Sequence, residues 1–220
     1  MQEEDKVRQL PRGRHRLSRD EVVASQRGRM LTAMAEAVAQ KGYARTTVAD
    51  VLSRARVSRE TFYEQFADKE DCFLAAYDFA VEALLGSIAD AVGDAPPDPF
   101  DRFESALSAY LGEMAREGTL ARVFLIEVYG AGPRAVERRV AVLERFVDAF
   151  AEILAPYADR FECEALVAAV SSLVTTRVAS GRLDELQALR EPLLALAGRL
   201  LAAPGDEARA DARERLSRAR

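Results

Sequence analysis

The sequence predicts an all-α fold of about nine helices, divided between a small N-terminal three-helix unit and a larger helical body. Three observations carry this reading. Alanine, leucine, glutamate and arginine dominate the 220 residues. No stretch sustains the period-two alternation of a half-buried strand, whereas apolar residues recur at helical spacing. Residues that start and stop helices fall in the gaps between those runs. With 49% of positions apolar, a sizeable core can form.

Each element follows from its local chemistry. Ser18 and Glu21 form a capping box, and Leu17 with Val22 the matching hydrophobic staple. The helix they open runs to Lys41 with Gly42 as its C-terminal cap, and Met30, Leu31, Met34, Ala37 and Val38 form its apolar stripe. Thr47 caps a short second helix, with Asp50 in the favourable first turn and Val48, Val51 and Leu52 inward. After a turn at Arg54 to Val57, Ser58 caps a third helix reaching Phe66, stapled by Val57 and Phe62. Asp68 caps a long helix through Val92, and "GDAPPDPF" is a linker in which Asp98 caps the next helix with Pro99 at its first position. Further helices are expected over 99–117, ended by Gly118; 119–129, ended near Gly130; 133–157, opened by Pro133; and 162–180, ended by Gly181. The last, 183–203, should be kinked or restarted by Pro192.

Composition narrows the function. Cys72 and Cys163 give neither a disulfide framework nor a metal spacing, and the single histidine, His15, has no neighbour with which to share a metal. The longest apolar run, Ala165 to Thr176, is broken by Ser171 and Ser172 and is too short for a bilayer. The N-terminus has no apolar signal segment, so a cytoplasmic protein with no membrane partner is expected. From Arg8 to Arg59 twelve basic residues stand against four acids, whereas residues 78–220 carry seventeen against twenty-four. Such asymmetry suits a polyanion partner at one end, or a solvated charged face.

Three helices in the first seventy residues, the second and third short and joined by a tight turn, form a helix-turn-helix pattern. Such a unit places its third helix in the major groove. Phe62 and Phe66 share one face and pack inward, leaving Arg59, Glu60, Thr61, Tyr63 and Glu64 on the others. The segment 28–77 resembles the DNA-binding part of the tetracycline-repressor (TetR) family of transcriptional regulators. The resemblance rests on Gly42-Tyr43, Thr46-Thr47, Val57-Ser58, then Thr61, Tyr63, Phe66 and Lys69 in one register. It implies that Tyr63 and Lys69 hold the DNA backbone, and that Thr47 and Ser58 cap helices whose N-termini face phosphates. Arg59 and Thr61 are the candidates for reading bases, through guanine and the thymine methyl.

Two departures from the family's pattern matter. Arg56 stands where the turn usually has glycine; a side chain held at positive φ costs on the order of 1 kcal/mol, so a different turn is expected. Arg56 also adds a cation near the DNA backbone. Glu60 and Glu64 disfavour phosphate, although a carboxylate can accept from cytosine N4, which makes Glu60 a possible specificity element. Arg12, Arg14, His15 and Arg16 make either an arm for a minor groove or a basic tail adding nonspecific affinity.

The body has no catalytic constellation, no phosphate loop and no cofactor motif, so no enzyme is expected; "GAGP" at 130–133 reads as a turn. The resemblance implies a small-molecule effector inside the body and dimerisation through the last two helices. Pocket candidates are Tyr110, Met114, Phe124, Glu127, Tyr129 and Phe150, with Glu127 either meeting a ligand or pairing with an arginine such as Arg177. Dimer candidates are Leu166, Val170, Leu173, Leu189, Leu193, Leu196 and Leu200, whose apolar faces could equally be internal core. The expected organisation is a basic arm (1–17), a helix-turn-helix domain (18–77), an effector-binding and dimerisation domain (78–203) and a charged tail (204–220). The expectation is a homodimeric repressor of a palindromic double-stranded operator, released by a small molecule. The alternative is a helical protein-interaction module that does not bind DNA.

Overall fold

A computed structural model describes residues 19–155 and 157–201, the side chains of 19, 20, 200 and 201 excepted. The described residues form nine α-helices and no strand. These are α1 (Arg19–Lys41), α2 (Val48–Ala55), α3 (Arg59–Tyr63), α4 (Lys69–Gly93), α5 (Pro99–Arg116), α6 (Gly118–Leu125), α7 (Pro133–Leu154), α8 (Arg160–Ala179) and α9 (Arg190–Leu201). Short 3-10 turns occupy Glu127–Gly130, Leu183–Glu185 and Gln187–Leu189. The expected basic arm, the Ser18 capping box with its Leu17 staple and the C-terminal tail lie outside the described residues.

Most caps are those read from the sequence. Thr47 and Asp50 form a reciprocal capping box on α2, Ser58 accepts from the Thr61 amide at 3.0 Å, and Asp68 accepts from the Asp71 amide at 2.8 Å. Gly42 ends α1 at φ 79°. Several boundaries differ, among them the end of α6 at Leu125 rather than 129. The third helix stops at Tyr63 rather than Phe66, because the chain must turn before Asp68 can cap α4, yet Phe66 still reaches the core. Gly118 opens α6 instead of ending a helix there: a Cβ at this position would stand 2.1 Å from Leu183 Cδ1, so a larger residue would require the Leu183 side chain to move. α8 begins at Arg160, where Asp159 and Glu162 make a second capping box, and α7 ends at Leu154. The segment from Leu183 is 3-10 turns until α9 starts at Arg190, with Pro192 in its first turn.

Arg56 is the instructive departure. The turn keeps its left-handed residue, with Arg56 itself at φ 54°, ψ 48° and its amide donating to Leu52 O. The turn does not change to suit the residue; its geometry is imposed by the packing on both sides. Arg29 donates to Ala55 O at 2.9 Å, Lys41 pairs with Asp50 at 2.6 Å, and Val51 and Phe62 are fully buried beside them.

Two apolar cores run through the molecule. The first joins α1–α4 to the 3-10 turn at Val128 and the first half of α7, with Met30, Met34, Phe62, Phe73 and Tyr77 at its centre. The second joins α5, α6, α8 and α9 to the second half of α7, around Phe103, Leu107, Phe150, Leu166 and Leu193. α4 belongs to the first and reaches toward the second through Ile88. It also corrects the reading of apolar runs: an eighteen-residue stretch of α4 has mean hydropathy 1.5, enough by length and composition to cross a membrane. Here it is docked in protein, its Asp78 bonded to Arg138 at 3.2 Å and its Glu82 to Arg145 at 2.7 Å, both arginines on α7.

Two outcomes test this account. Arg56→Val should destabilise the protein by about 1–2 kcal/mol in urea melts, whereas Arg56→Gly should not destabilise it. Asp50 bonds Lys41 and Thr47, which hold its carboxyl well below the ordinary 3.8. A depressed folded value means that this stabilisation is full above the unfolded value and lost as pH falls below it. Asp50→Asn should therefore be less stable than the parent at about pH 6, with the gap closing below roughly pH 3.

Candidate nucleic-acid interface and effector cavity

The outward surface of α2 and α3 is built by short-range geometry. Phe62 is sealed beneath α3 against Phe66, ring centroids 5.4 Å apart, which turns the remaining side chains outward. Thr47, Arg56, Ser58, Arg59, Glu60 and Tyr63 are exposed, and Thr61 is half-buried with its hydroxyl 2.9 Å from that of Ser58. Tyr63, 45% exposed, accepts from the Arg59 guanidinium at 3.4 Å, which also lies over its ring. The pair stands one turn apart on α3, a guanidinium and a phenol on the exposed side of the helix. Arg56 and Arg59 are balanced on this surface by Glu60 and Glu64, so α3 itself has no net charge.

Lys69 is placed differently. Its ammonium donates to Tyr43 O at 3.0 Å and lies 4.0 Å from the Tyr43 ring centroid; burial lowers its pKa. One of its three donors is thus committed to the loop before α2. The Tyr43 amide is held from the other side, by Glu127 Oε2 at 2.9 Å. Glu127 is therefore not paired with Arg177, whose acid is Glu185; it ties the turn after α6 to the turn after α1. Burial pushes the Tyr43 phenol up to about 12, so it stays neutral.

The body holds a cavity of about 630 Å³ between α1, α4, α5, α6, α7 and α8. Of the six expected pocket residues, Tyr110, Met114, Phe124 and Phe150 line it. Glu127 and Tyr129 do not: Tyr129 is largely exposed, with its hydroxyl accepting from Arg139 Nε at 2.9 Å. The walls are mostly apolar, including Leu107, Val142, Phe146 and Val170. Exposed lining residues Thr32, Glu36, Phe79, Arg116 and Thr119 mark its mouth. Sequence reasoning missed the contributions of α1 and α4, and above all Arg139. That arginine follows Ala135 and precedes Val142, Phe146 and Phe150 on the inward stripe of α7, a charge at a core position that was there to be read.

The dimer candidates need correction. Leu166, Val170, Leu189 and Leu193 are buried within the single chain, in the second core, and cannot meet another copy without unpacking it. Periodicity marks an apolar stripe but not what covers it. Leu196 is half-buried and Leu173 is 37% exposed, while the Leu200 side chain lies outside the described residues. The outward surface of α8 is made of small residues, Ala165, Ala168, Ser172 and Thr176, with Phe161 76% exposed at its start. No group of three or more His, Cys, Asp or Glu suited to a metal occurs among the described residues.

Comparison with known proteins matches this geometry. Residues 31–76 match the family described as bacterial regulatory proteins, tetR family. The HTH-type transcriptional activator FasR of Mycolicibacterium smegmatis is 25% identical over 140 residues, covering 64% of this chain. The match spans 62% of FasR's own length. The fatty acid degradation regulator FadR from Bacillus halodurans has a TM-score of 0.71 at 18% identity, over 82% of this chain and 96% of its own. FadR from Bacillus subtilis, solved with stearoyl-CoA, has a TM-score of 0.69 at 18% identity, over 80% and 98%. A TetR-like regulator from Rhodococcus sp. RHA1 has a TM-score of 0.63 at 20% identity, over 86% and 100%. These structural likenesses establish a shared fold, and the match over residues 31–76 identifies the helix-turn-helix segment as that of the tetR family of bacterial regulatory proteins.

Proposed function

We propose that the chain is a homodimeric transcriptional repressor that holds a palindromic operator through α3 and leaves it when a small apolar molecule enters the cavity. Residues 18–77 act as the DNA-binding domain and 78–203 as the effector and dimerisation domain, with the arm 1–17 adding affinity and the tail 204–220 outside both. One observation carries this reading. α6 lines the cavity with Thr119, Leu120, Ala121, Phe124 and Leu125, and the turn directly after it grips the Tyr43 amide through Glu127. A ligand that displaces α6 therefore acts on the loop between α1 and α2. That shift moves α3 out of register with its half-site if the two states differ in ligand affinity. The acyl-CoA bound by the Bacillus subtilis FadR structure supports a long apolar occupant. In this reading Arg59 and Thr61 read bases, Tyr63, Lys69, Thr47 and Ser58 meet the backbone, and the protein is cytoplasmic and performs no reaction.

Dimerisation would use the small-residue surface of α8 together with α9, with Leu173 and Leu196 at its margin and Phe161 covered by the second copy. Because FasR is named an activator, activation is the second reading. A promoter–reporter assay separates the two: deletion of the chain raises expression from a repressed promoter and lowers it from an activated one.

Arg59→Ala and Tyr63→Phe should each weaken binding to genome-selected duplexes by roughly tenfold or more, with the fold retained. Anisotropy titrations in which both variants keep parental affinity and salt slope would refute the assigned face. Glu127→Ala should leave DNA affinity within a few-fold while blunting effector-driven release; a variant that responds like the parent would disconnect α6 from Tyr43.

A further inference from the structure

α7 carries a row of arginines toward α4, and all but one are matched with acids. Arg134 faces Glu70 at 3.8 Å, Arg138 faces Asp78 at 3.2 Å and Arg145 faces Glu82 at 2.7 Å. Arg139 is the exception, and it is also the buried one, at 6% exposure. Its Nε donates to the Tyr129 hydroxyl at 2.9 Å and its Nη2 to the Ser171 hydroxyl at 3.0 Å, both neutral groups. Among the described residues no carboxylate stands within ion-pair distance of it. An arginine does not deprotonate, so a permanent cation is held in an apolar wall with hydroxyls alone around it.

That cation borders the cavity, next to Tyr77, Tyr110 and Ser171. Burial raises the pKa of both phenols, Tyr110 to about 12, so both remain neutral hydroxyls able to donate. The opposite charge lies elsewhere. Glu36, Glu113 and Glu117 line the cavity on the side of the mouth, where Arg116 is engaged by Glu113 at 2.5 Å and Glu117 at 2.7 Å. The field is therefore positive inside and negative at the entrance, the reverse of what a buried chain with a polyanionic head outside would need.

We propose that the cavity binds a free long-chain carboxylic acid head-first, with its carboxylate paired to Arg139 and its chain running along Phe146, Leu107 and Met114 toward the mouth. This rests on the reading of the cavity as the effector site, and assigns that effector's class. The guanidinium meets the carboxylate in a charge-assisted contact, the phenols and Ser171 complete the shell, and the acid rim excludes the phosphates of a coenzyme A thioester.

Calorimetry on the full chain without DNA tests this, with palmitate, hexadecanol and palmitoyl-CoA as probes. Palmitate should bind roughly tenfold or more tighter than either of the others. Arg139→Met should lose that preference, and Arg139→Lys should recover part of it. Equal binding of palmitate and hexadecanol to the parent chain, or preference for palmitoyl-CoA, would overturn the assignment without any variant. So would an Arg139→Met protein that keeps palmitate affinity but changes oligomeric state, since the cation would then serve a second copy of the chain. If none of the three binds, the carboxylic-acid assignment fails, while the effector reading is refuted separately if no apolar molecule releases the operator. Arg139-dependent palmitate binding that leaves operator binding unchanged refutes only the effector role under Proposed function.

Discussion

The backbone of Tyr43 is the point on which the two halves of this molecule depend. Its amide is taken by a carboxylate from the turn after α6, its carbonyl by an ammonium from the first turn of α4, and its ring packs on Phe73 with centroids 5.0 Å apart. The partners come from two segments distant in the chain, α4 and the turn after α6, and the peptide groups they satisfy would otherwise be buried in a loop. The loop's other bonds are local, among them the Thr46 hydroxyl donating to Gly42 O at 2.9 Å and the Thr46 amide to Tyr43 O at 3.1 Å. The short α2 and α3 are marginal alone, so the position of the recognition surface is inherited from this loop and from α4.

Charge is distributed with similar economy. Exposed pairs between α4 and α7 align two helices and contribute little each. Arg139 sits one residue from such a pair, yet turns inward because the helical register places it on the apolar stripe. The difference between a surface arginine and a buried one is here a rotation of one residue on the same helix.

Local signals were legible and distant ones were not. Thr47, Ser58, Asp68, Asp98 and Pro99 were readable because a cap involves atoms within a few residues. The register of Tyr63 and Phe66 was readable because a helix-turn-helix is a short pattern. Gly118 was misread because its reason, the approach of Leu183, lies far along the chain. Arg56 was misjudged because intrinsic preference favours glycine there while neighbouring packing enforces the left-handed backbone. Leu166 and Leu193 offered an apolar stripe whose partner only the fold could name, and Glu127 met a backbone amide that no spacing rule announces.

The apolar stretch of α4 has a consequence for the chain before it folds. During synthesis it emerges well ahead of α7, with the composition of a membrane segment and before Arg138 and Arg145 exist to pair with it. Asp78 and Glu82 lie within that stretch, and a carboxylate at the centre of a bilayer helix costs roughly 3 kcal/mol by insertion scales. The two acids that anchor α4 to Arg138 and Arg145 in the fold are thus also the residues that make the same stretch a poor bilayer helix.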